Sequence, residues 1–143
     1  MSLLRPSVLD ELGMRSALQN MVDDWNAYHE DTFCRLQIAA ELPEVGETIA
    51  INCYRIVQET LTNIANHAQA SDAEISIDVY PQQDSNHVLR LRISDNGRGF
   101  DPRTVIKGLG LLGIHERVNA MGGNIDLESD NNGTRYEITI PLD

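Results

Sequence analysis

The chain is poor in the features that mark secreted, membrane-spanning and nucleic-acid-binding proteins. Its two cysteines, Cys34 and Cys53, lie in apolar contexts without metal-ligand spacing, which predicts reduced core thiols in a cytosolic protein. No apolar run approaches the roughly 18 residues that cross a bilayer, and residues 1–12 lack the basic flank and long apolar stretch of a signal peptide. Net charge is −11, and the 11 basic residues form no cluster that would neutralise a phosphate backbone, so no nucleic-acid partner is expected.

What is present is sufficient for one domain with a hydrophobic core, since 41% of the 143 residues are hydrophobic. Periodicity and breaker residues predict a helix, an edge strand, a long helix, two strands, a Gly-rich stretch, a short helix and a closing hairpin. These elements span 8–25, 35–42, 47–68, 73–79, 88–95, 96–113, 111–121, and 124–129 with 134–142. This order predicts an α/β two-layer sandwich, with a mixed, mostly antiparallel sheet and helices on one face.

A polar stripe runs along the predicted helix 47–68, on a different side from its apolar stripe. Glu59 and Asn63 are four residues apart and therefore neighbours on the helix surface. An acid and an amide at this spacing can present oxygens to a hard cation such as Mg²⁺. A solvated helix face is the alternative for these residues alone, and His67 alone is interpreted as a packed, neutral histidine. The stripe comprises Asn52, Arg55, Glu59, Asn63 and Asn66.

The residues 95–100 follow a strand whose alternation places Asp95 on the apolar face. A carboxylate there must accept good hydrogen bonds, and the exocyclic amine of adenine is a suitable donor. Gly97 and Gly99 would let the backbone approach the base without side-chain obstruction. A common Asp-Asn-Gly turn after a strand is the alternative.

Glycines recur in residues 108–113, immediately before the predicted helix 111–121. Backbone N–H groups at a helix N-terminus attract anions, which predicts a phosphate cradle. The segment lacks the terminal Gly-Lys-Ser/Thr of a Walker loop, and a Gly-rich loop without a ligand is the alternative.

Together, and in this order, the three segments resemble the N, G1 and G2 boxes of the GHKL superfamily, which includes sensor histidine kinases, gyrase-type topoisomerases, Hsp90 and mismatch-repair ATPases. Residues 54–63 with 67–68 are similar to the N box of nitrate-sensor-type histidine kinases, and residues 108–118 with Gly122 and Gly123 are similar to their G2 box and the following helix. Residues 1–25 resemble the end of their dimerisation region and the first helix of the ATP domain. Residues 26–143 then form the remainder of what is one domain overall.

The resemblance implies that the chain binds Mg-ATP and transfers its γ-phosphoryl group to a histidine. Asn63 would ligate Mg²⁺, and Glu59 would act as a base or orient water. Asp95 would bind the adenine amine, with Gly97 and Gly99 beneath the base and Thr134 supporting that end of the pocket. The other implied ATP-binding residues are His67, Lys107, Gly108, Leu109, Gly110 and Leu111.

One departure concerns charge near the phosphates. Relatives often carry a lysine where Asn66 stands, so its absence leaves that charge to Lys107, Arg103 or another group.

The phosphoacceptor histidine of this family lies on a helix of a dimerisation domain, upstream of the ATP-binding domain. The chain is therefore expected to bind ATP as a monomer without phosphorylating itself, while the full-length protein would be a homodimer that passes the phosphoryl group to a response regulator. The resemblance further implies a cytoplasmic domain of a protein anchored in the bacterial inner membrane. The alternatives are a GHKL serine kinase of the anti-sigma type and a nucleotide-binding module without kinase activity.

Overall fold

The computed structural model describes residues 7–82, 86–101 and 110–142, with side chains from residue 13 onward. These residues form three α-helices, a π-helical turn and five strands. In chain order they are α1 (Ser7–Tyr28), β1 (Phe33–Ile38), α2 (Glu47–Asn63), the π-helical turn (Ile64–Ala68), β2 (Asp72–Pro81), β3 (His87–Asp95), α3 (Leu111–Ala120), β4 (Asn124–Asp130) and β5 (Gly133–Pro141).

The five strands form one sheet in the order β1-β2-β3-β5-β4. β1 runs parallel to β2, and the three other neighbouring pairs are antiparallel. The predicted mixed, mostly antiparallel sheet is therefore confirmed, as is the position of β1 at its edge.

Strict alternation separates the two faces of the sheet. The inner face of β2, β3 and β5 packs with the helices into the core, and its fully buried aliphatic side chains are Ile75, Ile77, Leu89, Leu91, Ile93, Ile138 and Ile140. The outer face carries exposed or half-buried ion pairs such as Arg90–Asp78 at 2.7 Å and Arg135–Glu128 at 2.7 Å. Because exposed pairs of this kind contribute little, burial of the inner face dominates the stability of the sheet.

α1 is interrupted at Gly13, where the sequence predicts one continuous helix over 8–25. Gly13 has φ 74° and ψ 173°, outside helical geometry. Glycine has no Cβ and adopts positive φ without steric penalty, so the break falls at this residue. After the break, Leu18 and Val22 are buried in the core.

β1 covers Phe33–Ile38, so it begins two residues before the predicted strand 35–42 and ends four residues before that strand's end. The Arg15 guanidinium donates to the carbonyl oxygens of Ile38, Ala39 and Ala40. The same contacts attach α1 to the edge of the sheet.

Both cysteines are free thiols inside the core, as predicted. Burial raises the pKa of Cys34 to about 11 and the pKa of Cys53 to about 12. None of the described helices is both long and apolar enough to span a membrane.

Candidate functional site: a pocket at the end of α2

A small pocket, with a cavity volume of about 20 Å³, lies between the C-terminal end of α2, the π-helical turn and the adjoining ends of β3 and β5. Its lining includes five of the residues predicted for nucleotide binding. These five are Asn63, His67, Asp95, Gly99 and Thr134, and the remaining lining residues are Thr60, Ile64, Ala68, Phe100 and Tyr136.

Asp95 is the last residue of β3, directly opposite Ala73 on β2 and Thr134 on β5. The backbone N–H of Gly97 donates to Asp95 Oδ1 at 2.8 Å, and the backbone N–H of Thr134 also donates to the carboxylate. Burial raises the pKa of Asp95 above its usual value, and the two N–H donors oppose that rise. The Asp95 carboxylate is half-buried at the pocket wall, and two backbone N–H groups hold it in place. It can still accept a hydrogen bond from a ligand.

Thr134 links the closing hairpin to the segment after Asp95. It is only 5% exposed, and its Oγ1 lies 2.8 Å from the Oγ of Ser129. Ser129 Oγ in turn accepts a hydrogen bond from the backbone N–H of Phe100 at 2.7 Å. Thr134 thus connects the closing hairpin to the segment after Asp95, and its role in nucleotide binding stays a prediction.

Gly97 and Gly99 are both required by close approaches within the protein. A Cβ on Gly97 would collide with the backbone carbonyl of Ala68, and a Cβ on Gly99 would collide with that of Asp130. Gly99 also has φ 69°, which favours glycine. Gly99 lines the pocket, whereas Gly97 reaches it only through its hydrogen bond to Asp95, so contact of both glycines with a base stays a prediction.

The π-helical turn replaces the last part of the regular helix predicted over 47–68. Its Ala68 carbonyl accepts the backbone N–H of Arg98 at 2.7 Å, and Arg98 Nε donates to the carbonyl of His67 at 2.8 Å. The turn ends at Gln69, which has φ 51°. These tertiary bonds hold His67 half-buried at the pocket wall.

Asn63 is one of the few buried polar side chains in the described part of the chain, with 5% of it exposed. Its amide hydrogen-bonds the hydroxyl of Tyr136, whose pKa is raised chiefly by burial. The sequence places Tyr136 on the inward face of the last strand but does not identify it as a site residue. Its position two residues after Thr134, on the same face of the strand and with a hydroxyl group at its tip, could have identified it as a site residue.

Glu59 lies one turn before Asn63 on α2 and is half-buried. Gly110, which precedes the first turn of α3 with φ 63°, packs against it so closely that a Cβ on Gly110 would collide with Glu59 Oε1. Glu59 and Gly110 line a second cavity next to the pocket. The structure therefore brings Glu59 beside one glycine of the predicted cradle.

Of the remaining predicted residues, only Leu111 lies in the described part of the chain, and it is not at the pocket. Leu111, the first residue of α3, packs against the hydrophobic core and lines neither cavity. Lys107, Gly108 and Leu109 lie outside the described residues.

The oxygen donors on α2 fit a magnesium ion that is shared with a nucleotide. No group of three His, Cys, Asp or Glu side chains in the described residues is arranged to hold a metal by itself. Mg²⁺ in phosphate-binding sites needs only one or two protein oxygens, because phosphate oxygens and water complete its shell. Asn63 and Glu59 supply such oxygens on successive turns of one helix.

Comparison with known proteins assigns the chain to one family. Residues 48–143 match the model of the "Histidine kinase-, DNA gyrase B-, and HSP90-like ATPase" family. The chain is 32% identical over 138 residues, or 96% of its length, to the signal transduction histidine-protein kinase/phosphatase UhpB of Salmonella typhimurium. It is 44% identical over 100 residues, or 65% of its length, to the sensor histidine kinase YdfH of Bacillus subtilis. The matched region is 26% of the first relative and 23% of the second, so the chain spans about a quarter of their length.

Solved structures agree on the fold. The histidine kinase AdeS of Acinetobacter baumannii superposes with a TM-score of 0.71 at 17% identity, covering 96% of this chain and 73% of that one. The histidine kinase domain of the blue-light activated kinase of Erythrobacter litoralis EL346 superposes with a TM-score of 0.66 at 20% identity, covering 90% of this chain and 65% of that one. The chain therefore belongs to the histidine kinase-, DNA gyrase B- and HSP90-like ATPase family, and within it resembles the ATP-binding catalytic domains of sensor histidine kinases.

Proposed function

We propose that this domain binds Mg-ATP and transfers the γ-phosphoryl group to a histidine on a dimerisation domain outside the chain. The observation that carries the proposal is the succession of Asp95, Asn63 and Glu59 along the site. Asp95 and Asn63 line one pocket, and Glu59 stands one helical turn away, about 6 Å along the axis of α2. A single nucleotide with its base at Asp95 would extend its phosphates past Asn63 toward Glu59.

Asp95 would select adenine. Its carboxylate, already held by two backbone N–H groups, would accept the exocyclic amine of the base in a charge-assisted hydrogen bond. A guanine would present a carbonyl oxygen at that place, and two acceptors would face each other without a proton between them. The preference for adenine over guanine follows from this one side chain.

Asn63 and Glu59 would serve the phosphates and the acceptor. Asn63 would hold Mg²⁺ jointly with phosphate oxygens, and the ion, when bound, supplies positive charge that offsets the charge of the transferred group. Glu59 would orient the attacking imidazole or a water, or accept its proton, because its carboxylate lies beside Gly110 and one helical turn from Asn63. The remaining contribution of the protein is positioning.

We extend the proposal to the complete protein because its relatives are named as sensor or signal transduction histidine kinases. It would be a homodimeric sensor kinase that receives the phosphoryl group on its own phosphoacceptor domain and passes it to a response regulator. The present chain would be its cytoplasmic domain, with the full-length protein anchored in the bacterial inner membrane.

Two other functions share the same pocket: a serine kinase of the anti-sigma type and a nucleotide-binding module without kinase activity. The experiment that separates them has two stages. Calorimetry with Mg-ADP and Mg-GDP tests binding and base preference, and incubation with labelled ATP and the full-length protein's phosphoacceptor domain tests transfer. An acid-labile, base-stable phosphoprotein is the expected product. An acid-stable product would indicate a serine kinase, binding without transfer would indicate a module, and no binding at millimolar Mg-ADP would refute all three.

A further inference from the structure

A second cavity, with a volume of about 310 Å³, lies between α2 and α3 and is lined in part by Glu59. Arg55 of α2 and Arg117 of α3 both line it. The cavity meets the predicted phosphate end of the site at Glu59 and Gly110. The other lining residues are Gln58, Gly113 and Ile114.

The two guanidinium groups are engaged only by neutral amide oxygens in the described structure. Arg55 Nη1 donates to Gln58 Oε1 at 3.0 Å, and Arg117 Nη1 donates to Asn52 Oδ1 at 3.3 Å. In contrast, the arginines on the outer face of the sheet bond carboxylates: Arg35, Arg90, Arg92 and Arg135. A guanidinium has five N–H donors, so an amide oxygen satisfies a small part of its hydrogen-bonding capacity.

The cavity is therefore locally cationic in a protein of strongly negative net charge. The residues that line the cavity include two guanidinium groups and one carboxylate, that of Glu59. The chain as a whole has a net charge of −11. Both arginines are half-buried, so solvent screens them less than it screens the exposed side chains of the sheet face. An anion with several oxygens, such as a phosphate, fits two such donors better than a single carboxylate does.

We propose that Arg55 and Arg117 bind the terminal phosphate of ATP; this inference rests on the proposed function. Together they supply the positive charge that position 66 does not provide. Asn66 is exposed and lines neither the pocket nor this cavity. Arg117 reaches across from α3 to α2, so the pair also ties the two helices on either side of the bound phosphate.

The test compares ATP with ADP, because only ATP carries the phosphate in question. Arg55→Ala and Arg117→Ala are prepared in this chain, with Arg135→Ala as the matched control, since Arg135 is an exposed arginine paired with Glu128 on the outer sheet face. Calorimetry in Mg²⁺ should show that each cavity variant weakens ATP binding by about 10-fold or more, as expected for loss of a charge-assisted contact, with ADP affinity changed less than about 2-fold. The control should leave both affinities unchanged.

The possible outcomes are distinct. Parallel losses for ATP and ADP, or unchanged ATP affinity in both cavity variants, would overturn the inference. Unchanged ATP affinity with lost transfer in the full-length kinase would instead assign the cavity to an acidic side chain of the phosphoacceptor domain. If the parent chain binds neither nucleotide, the proposed function itself fails. Should Arg117→Ala prove unfolded, Arg117→Gln keeps a donor for Asn52 without the charge, and the same ATP-to-ADP comparison decides the question.

Discussion

Replacing Asp95 by asparagine separates the binding role of this carboxylate from its effect on stability. Asparagine is nearly the same size and keeps an oxygen that can accept from the Gly97 N–H, 2.8 Å away in the parent. It lacks the charge that would strengthen the bond to an adenine amine. Hydrogen bonds to charged groups contribute about 1.5–3 kcal/mol, so Mg-ADP affinity should fall by about 10- to 150-fold.

The free protein should respond in the opposite direction. Because burial raises the pKa of Asp95, the folded state binds its proton more tightly than the unfolded state, whose pKa is near 3.8. This group therefore lowers stability as pH rises from 3.8 through the folded pKa, and the penalty is fully present at neutral pH. At pH 7 the melting temperature of Asp95→Asn should equal or exceed that of the parent, and below about pH 3.8 that advantage should disappear.

Calorimetric titration with Mg-ADP and thermal unfolding between pH 3 and 8 are the two assays. Asp126→Asn is the matched control, since Asp126 is exposed on β4 and its neighbours Ile125 and Leu127 face inward. Equal Mg-ADP affinity in Asp95→Asn and the parent would refute the adenine assignment. A fall in melting temperature of about 8 °C at pH 7, which corresponds to about 2 kcal/mol in a domain of this size, would show that the carboxylate is primarily structural.

Two further predictions concern the packing around the site and the core. Gly97→Ala should destabilise the fold by about 1–3 kcal/mol, because its Cβ would meet the backbone carbonyl of Ala68, whereas Gly113→Ala in α3, with nothing within 4 Å, should be neutral or stabilising by up to about 1 kcal/mol. Urea denaturation of both variants checks this, and equal effects would contradict it. Cys34 and Cys53, with pKa values raised to about 11 and about 12, should resist iodoacetamide at pH 8 until the protein unfolds, and rapid labelling of the native protein would show the thiols to be accessible thiolates.

The elements of this fold were predictable from the sequence wherever one face is buried throughout. Leu89, Leu91 and Ile93 alternate with polar residues, and the same alternation, carried one step further, placed Asp95 at the wall of the pocket. Local periodicity did not predict the bounds of β1, and the Arg15 side chain that bonds a carbonyl group just beyond its end comes from a different element. Nor could it predict the π-helical turn, which is held by Arg98 from 30 residues further along the chain.

Individual residues of the candidate site could be predicted from the sequence, whereas contacts between residues of different elements could not. Motif order identified Glu59, Asn63 and Asp95, and the structure places them in or beside one pocket. The cavity with Arg117 was not predicted, because it depends on how α3 packs across α2 and no local pattern encodes that packing. Tyr136 was predicted to face inward, yet its bond to Asn63 required the two elements to be brought together.

The π-helical turn determines which atoms build the wall between α2 and the sheet. Arg98 donates hydrogen bonds to the carbonyl groups of His67 and Ala68. The Ala68 carbonyl also occupies the position that a Cβ on residue 97 would take, which is why this residue is glycine. The wall therefore depends on the glycine at position 97 and the arginine at position 98, and otherwise on main-chain atoms, which are common to every amino acid. A lineage can therefore exchange exposed residues of the turn, such as Ala65 and Asn66, while the shape of the pocket beside it is retained.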